Sequence, residues 1–236
     1  MKASILTGNK KIIYDEFWQR QKFKDKFASH DLHLQILKFS QESIIKESFK
    51  NLPFDEYIEV KNRQRRFSHF HILSEKIVLL PHKHFNQSSQ HNCLFGDIDR
   101  NYLPLEYKVA YSFDLQYLIN HFIKKFNHDN KPIEVGIHQI RIICSPLMLG
   151  NPVPEGIHQD GYKYVGIYCV ERTNILGGAT SLYKDKNSQP FVNITLNPNE
   201  FFIFNDKEYF HFTSAIQPEI SAQGYRDVFI FTANYD

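Results

Sequence analysis

The apolar pattern of the chain changes near position 131. Ahead of it, three stretches show helical spacing. In 15–29, Phe17, Phe23 and Phe27 recur among Lys, Gln and Asp behind a capping Asp15. A second helix is predicted over 41–51, started by Ser40 and stopped by Pro53. The third, 114–128, is preceded by Ser112 as cap and carries Leu115, Leu118, Ile119, Phe122 and Phe126 in one stripe, fit to pack on the outside of a sheet. Between them Leu32, Leu34 and Ile36 alternate as a short strand, and 70–81 reads as a hairpin turning at Ser74-Glu75. The polar, irregular stretch 85–104 predicts a long loop over one face, where function is often placed.

From Ile133 onward the texture is β. Segments 133–144, 162–170, 180–184, 191–196, 200–204, 209–215 and 225–235 are rich in β-branched and aromatic residues. Turn signals separate them, among them Gly177-Gly178, Asn197-Pro198-Asn199 and Gln223-Gly224. Strands at this spacing indicate a sandwich or jelly roll. The expected fold is mostly β with flanking helices, one domain over 1–236. Residues 1–130 supply helical and hairpin padding plus the loop, and 131–236 the jelly-roll core.

Composition narrows the function classes. The 236 residues carry 28 basic and 26 acidic side chains, a net charge of +2, so no global field draws the chain to nucleic acid or an anionic membrane. No apolar run approaches the length of a membrane span. Cys93, Cys144 and Cys169 form neither a disulfide framework nor a Cys-x-x-Cys pair, as expected of a soluble, cytoplasmic protein in a reducing compartment. The run Arg63, Arg65, Arg66 reads as a solvated strand or a set of ion pairs, with a nucleic-acid contact as its alternative. His69-x-His71 and His82-x-His84 each put two imidazoles on one strand face, but neither pair has a third ligand nearby in sequence.

The chemistry concentrates in 154–226. His158 and Asp160, if carried by a strand, share a face, and His211 on a later strand can join them if the sheet folds over. Two histidines and one carboxylate can hold Fe(II) on one side and leave the opposite positions open. With 12 His and 26 acidic residues, chance alone supplies roughly one His-x-acid match, so the spacing by itself carries little weight. Context adds to it. Gly156 and Gly161 bracket the pair, and Arg226 lies among apolar strand residues, where an unpaired cation is costly and a carboxylate is a fitting partner. The competing reading pairs Arg226 with Asp227 or Asp206 and leaves the histidines as ordinary satisfied side chains.

His158-Gln159-Asp160-Gly161, Gly177-Gly178, His211 and Gly224-Tyr225-Arg226-Asp227 resemble the small 2-oxoglutarate/Fe(II) dioxygenases typified by L-isoleucine dioxygenase, which hydroxylate free amino acids. The likeness extends upstream to Arg65-Arg66-Phe67-Ser68, Phe85-Asn86-Gln87-Ser88 and Val135–Arg141, and so covers most of the chain. It implies a double-stranded β-helix of cupin-like type, with iron on His158, Asp160 and His211, 2-oxoglutarate and O2 as co-substrates, and Arg226 on the far carboxylate of the keto acid. Where the family tends toward Thr-Pro after the distal histidine, this chain has Thr213-Ser214-Ala215, which leaves open whether Thr213 or Ser214 assists Arg226. The presence of Asp160 favours hydroxylation or sulfoxidation over halogenation, because related halogenases lack that carboxylate.

For the substrate the sequence offers three side chains. Gln139 and Arg141 share a strand face that could open into the barrel mouth, with Arg141 on a substrate carboxylate, or equally into an ion pair on the outer face. Glu155 could meet an ammonium, and Asp206 could orient His211. The expected partner is a small amino acid, isoleucine-like and aliphatic, with no membrane and no nucleic acid. The competing classes are a non-catalytic jelly-roll module binding a ligand or protein, and a dioxygenase acting on a peptide or nucleic acid.

Overall fold

The computed structural model describes residues 32–39, 43–73, 76–125 and 132–234. The helix expected over 15–29 lies outside them. Twelve strands and three short helices are built from the described residues. The strands are β1 (Leu32–Ile36), β2 (Arg63–Leu73), β3 (Lys76–Leu79), β4 (Ile133–Cys144), β5 (Tyr164–Thr173) and β6 (Leu176–Gly177), then β7 (Ala179–Tyr183), β8 (Val192–Thr195), β9 (Glu200–Asn205), β10 (Phe210–Thr213), β11 (Ile216–Gln217) and β12 (Gly224–Asn234). Every element expected after Ile133 is present within a few residues.

Seven strands form one antiparallel sheet in the order β1-β9-β5-β12-β4-β2-β3, and β10-β7-β8 form a second, facing it. This is the jelly-roll arrangement. Strand parity divides the large sheet into two faces. In β4, Ile133, Val135 and Ile137 lie in the core cluster beneath the helices, whereas His138, Ile140 and Ile142 line a cavity between the sheets. In β12, Phe229, Phe231 and Ala233 take the helix side, and Val228, Ile230 and Thr232 the cavity side.

The helical padding follows from its stripe. The helices are α1 (Ile44–Ser48), continued by a 3-10 turn (Phe49–Asn51), α2 (Tyr107–Ala110) and α3 (Phe113–Ile123). The Ser112 hydroxyl accepts the Leu115 N–H at 3.2 Å and caps α3. Leu115, Leu118, Ile119 and Phe122 are completely buried against the sheet, each stabilising the packing by about 1.5–3 kcal/mol. The second helix begins later than expected. Ser43, not Ser40, caps it, and its hydroxyl accepts from Ile45 N and also bonds the Asp114 carboxylate at the start of α3. No helix among the described residues is long and apolar enough to cross a membrane.

Candidate active site

His158 and Asp160 do not sit on a strand, contrary to expectation. Gly156 and Gly161 adopt φ of +82° and +84°, a conformation that side chains disfavour, and they cut the segment into a loop. A Cβ on Gly161 would also lie 2.5 Å from the His91 ring. Between these turns His158 makes a single antiparallel bridge to β10, donating to the His211 carbonyl at 3.1 Å and accepting from His211 N–H at 2.8 Å. That bridge, rather than strand parity, brings the two imidazoles together, with ring centres 4.2 Å apart.

Asp160 then turns back between them. Its Oδ1 lies 3.5 Å from His158 Nε2 and its Oδ2 3.5 Å from His211 Nε2. One ligand atom from each residue falls within 4.8 Å of the others, and no other such cluster of His, Cys, Asp or Glu occurs among the described residues. The far nitrogens each face an acceptor, His158 Nδ1 in hydrogen-bonding geometry and His211 Nδ1 by proximity alone. His158 Nδ1 is 2.9 Å from the Gly156 carbonyl, and His211 Nδ1 is 3.2 Å from the Asp206 carboxylate. Both Nδ1 atoms thus point at oxygen acceptors, which suits protons there and Nε2 lone pairs turned toward a metal. Asp206 also accepts from Gly161 N–H at 3.0 Å, and so ties the loop to the orientation of His211.

The electrostatics suit a cation at this point. Burial works against charge on His158, but the hydrogen bond and field of Asp160 outweigh it, helped by Glu155, and raise its pKa to about 9. Burial likewise opposes ionisation of Asp160, yet the two histidines and Gln87 hold its carboxyl well below the usual carboxylate range. Both shifts favour positive charge at this point, the sign that a divalent ion carries. Two imidazoles and a carboxylate on one side form the donor set of a non-haem Fe(II) site.

Arg226 lies on the same cavity wall, 2% exposed, with Nε and one terminal nitrogen lacking any hydrogen-bond partner. Burial, and then Arg172, lower its pKa, as expected of a guanidinium that lacks an anion. The competing pairing does not occur. Asp227 is taken by Arg141, and Asp206 faces His211. An orphaned, buried arginine in the metal cavity fits the far carboxylate of a keto acid. Thr213 lines the cavity and its hydroxyl lies 3.2 Å from that of Thr180. The Ser214 hydroxyl instead accepts from Ala179 N–H at 3.0 Å.

Gln139 and Arg141 need correction. They occupy the odd positions of β4, whereas the even ones face the cavity. The Gln139 amide donates to Ser48 Oγ at 2.6 Å, and Arg141 clamps Asp227 at 2.7 and 2.6 Å while stacking over Tyr225. The outer ion pair, not the barrel mouth, is where Arg141 sits. Glu155 does line the cavity, 3.8 Å from His158 Nε2. Gln159 points away and donates to the carbonyls of Asp206 and Lys207.

Sequence reasoning missed several cavity residues. Gln87, in the loop over 85–104, donates to the Asp160 carbonyl and carboxylate at 3.0 and 3.1 Å. Arg63 and Arg65, expected as solvated or ion-paired, are 7% and 8% exposed and turn into the cavity, which rules them out as an outer nucleic-acid surface. Their alternation with Phe67 was the available signal, since an Arg-x-Arg-x-Phe face ending in a buried ring is an inward face. Of the two His-x-His pairs, His69 engages Glu134 at 2.8 Å and His82 engages Asn101 at 2.8 Å.

The family model described as 2OG-Fe dioxygenase matches residues 46–232. No curated protein sequence matches the chain. Among solved structures, a bsmA homolog from Methylobium petroleophilum PM1 is 20% identical, with 91% of this chain and 92% of that one covered and a TM-score of 0.76. IDO from Bacillus thuringiensis is 18% identical over 92% of this chain and 99% of its own, with a TM-score of 0.74. The Fe(II)/α-ketoglutarate-dependent dioxygenase TqaL is 12% identical, covers 94% and 88%, and has a TM-score of 0.62. At these identities the likeness is one of fold.

Proposed function

The chain belongs to the 2OG-Fe dioxygenase family, whose members use Fe(II), 2-oxoglutarate and O2, and from that premise we propose that it hydroxylates a C–H bond of a free aliphatic L-amino acid. The observation that carries the oxygenase part of the reading is Arg226, buried without an anion in the cavity that holds His158, Asp160 and His211, and the amino-acid substrate follows from Glu155 and the hydrocarbon walls of that cavity. Iron and the keto acid, when bound, supply oxygen activation: one oxygen atom enters the substrate as an alcohol, and the other leaves in succinate, with loss of CO2.

The protein's own part is binding, orientation and exclusion of water. His158, Asp160 and His211 hold the metal through two Nε2 atoms and a carboxylate, with Asp206 and Gln87 fixing the ligands from behind. Arg226, beside Thr213, receives the distal carboxylate of 2-oxoglutarate. Ile140, Val165, Ile167, Val228 and Ile230 wall this part of the cavity with hydrocarbon, which strengthens each polar contact within it. Glu155, facing the same space, meets the substrate ammonium. The whole chain acts as one dioxygenase domain, and a reducing cytoplasmic setting suits both Fe(II) and three free thiols.

The test is spectroscopic first and chemical second. Anaerobic protein given Fe(II) and 2-oxoglutarate develops a weak visible charge-transfer band, which Asp160→Ala abolishes. Free amino acids are then scored for succinate release coupled to a gain of one oxygen. If folded protein gives no band, the enzymatic reading fails. If the band forms but only peptides or oligonucleotides couple, the amino-acid substrate is wrong.

A further inference from the structure

The cavity contains more positive charge than iron and keto acid account for. Besides Arg226 it is lined by Arg63, Arg65 and Arg100, all less than a tenth exposed. Among the described residues the arginine–carboxylate pairs are Arg66–Glu106 and Arg141–Asp227, so none of these three is in one. Each leaves its Nε without a hydrogen-bond partner.

What they do touch is neutral. Arg63 donates to the carbonyls of Asn151 and Pro152, at 3.2 and 2.7 Å. Arg65 contacts Tyr102 Oη at 3.3 Å and His138 Nδ1 at 2.8 Å. Arg100 reaches Gln87 Oε1, at 3.5 Å, and the neutral side chain of Tyr102, and lies over the rings of Phe85 and Phe95. Asp55, buried nearby, lowers the cost of the cluster through its field on Arg63 and Arg100, but its Oδ1 is used by Tyr57 N–H. If Asp160 is assigned to the metal, Arg226 to the keto acid and Glu155 to an ammonium, three guanidiniums face one carboxylate. Two positive charges are then unanswered at that end of the cavity, in surroundings where an unpaired cation is costly.

We propose that Arg63, Arg65 and Arg100 form the subsite for the carboxylate of the primary substrate, with Arg100 as its principal anchor. The inference rests on the amino-acid reading above and extends it by placing the carboxylate at the β2 and loop side of the cavity, opposite in role to Arg226 and away from Arg141. Arg100 is also joined to the metal ligand through one side chain, because Gln87 accepts from Arg100 and donates to Asp160. An anion seated on Arg100 therefore meets a group already in register with the reacting centre.

Calorimetric titration of protein loaded anaerobically with Fe(II) and 2-oxoglutarate tests this, with L-isoleucine, L-leucine and L-methionine as probes, each beside its primary amide. The acids are expected to bind at least tenfold more tightly than the amides. Arg100→Gln should weaken the acids by roughly ten- to hundredfold, the loss expected for a charge-assisted pair, and leave the amides nearly unchanged. Arg63→Lys, which keeps the charge, gives a second and milder reading should Arg100→Gln fold poorly. Equal binding of acid and amide, or an acid preference that survives both variants, overturns the subsite while the amino-acid reading stands. Absence of acid binding in protein that does form the charge-transfer band overturns both, and absence of the band removes the dioxygenase reading beneath them.

Discussion

Arg226 is the most exposing place to perturb the site, because it makes two predictions of opposite sign. Without co-substrate, the structure carries a guanidinium 2% exposed with two nitrogens unsatisfied, in walls of Val228, Ile230 and Ile167. An unsatisfied charged donor costs more than the ~1–3 kcal/mol of a neutral one, so Arg226→Leu should stabilise the empty protein by roughly that amount. On the proposed role of Arg226, the same change removes the partner of the distal carboxylate. Each charge-assisted hydrogen bond contributes about 1.5–3 kcal/mol, so loss of a two-pronged contact weakens 2-oxoglutarate by at least about a hundredfold. Arg226→Lys keeps the charge and loses the fork, so its penalty is about one bond, roughly tenfold or somewhat more. Iron affinity should scarcely move in either variant. Chemical unfolding of the metal-free protein and anaerobic titration with 2-oxoglutarate measure the two halves separately. If Arg226→Leu destabilises the empty protein and leaves co-substrate affinity intact, the arginine is structural and another residue receives the far carboxylate.

Two further outcomes test other parts of the reading. Arg141→Met should cost ~3–5 kcal/mol of stability, because it strands Asp227 at 1% exposure without its clamp, yet leave amino-acid affinity unchanged; a lost substrate contact with unaltered stability would return Arg141 to the cavity. His69 should make the protein acid-sensitive. Burial, and then Lys83, lower its pKa to about 4, below the usual 6.5, so the folded state keeps it neutral where the unfolded chain takes up a proton. Its contribution is complete above pH ~6.5 and is lost as the pH falls toward 4. Urea unfolding of wild type and His69→Phe across that window should show a shallower pH slope in the variant, and parallel curves would assign the effect to another group.

The β half was legible because its signals are local. Alternation, turns and β-branched content placed 133–144 to the residue and the others within a few positions. The triad was legible only as a set of residue types. The mechanism expected for it, a strand showing His158 and Asp160 on one face, is not what the chain does. The two glycines that made the segment conspicuous also prevent it from being a strand. Parity explains the substrate residues that were missed. In a strand buried on both faces, apolar residues do not reveal which side is which. In β4, Val135 and Ile137 serve the helix core, and Ile140 and Ile142 the cavity. Without that assignment Gln139 and Arg141 are as plausible as His138, and one step in register reverses the answer.

The arginines show what kind of information resolves such a tie. Arg63, Arg65 and Arg66 lie within four residues and are chemically alike, yet Arg66 points to the helix side, bonding the Pro104 carbonyl near Glu106, while the other two point to the metal cavity. Charge count along the chain cannot separate them, because the sum is the same whichever face each takes. Burial without an anion can. An arginine that folding places in hydrocarbon and leaves uncompensated carries a cost that packing alone gives no reason to retain. Arg226 and Arg100 share that condition at two parts of one cavity. The proposed keto-acid contact answers one of them, and the cluster around the other is the stronger clue to what the cavity receives.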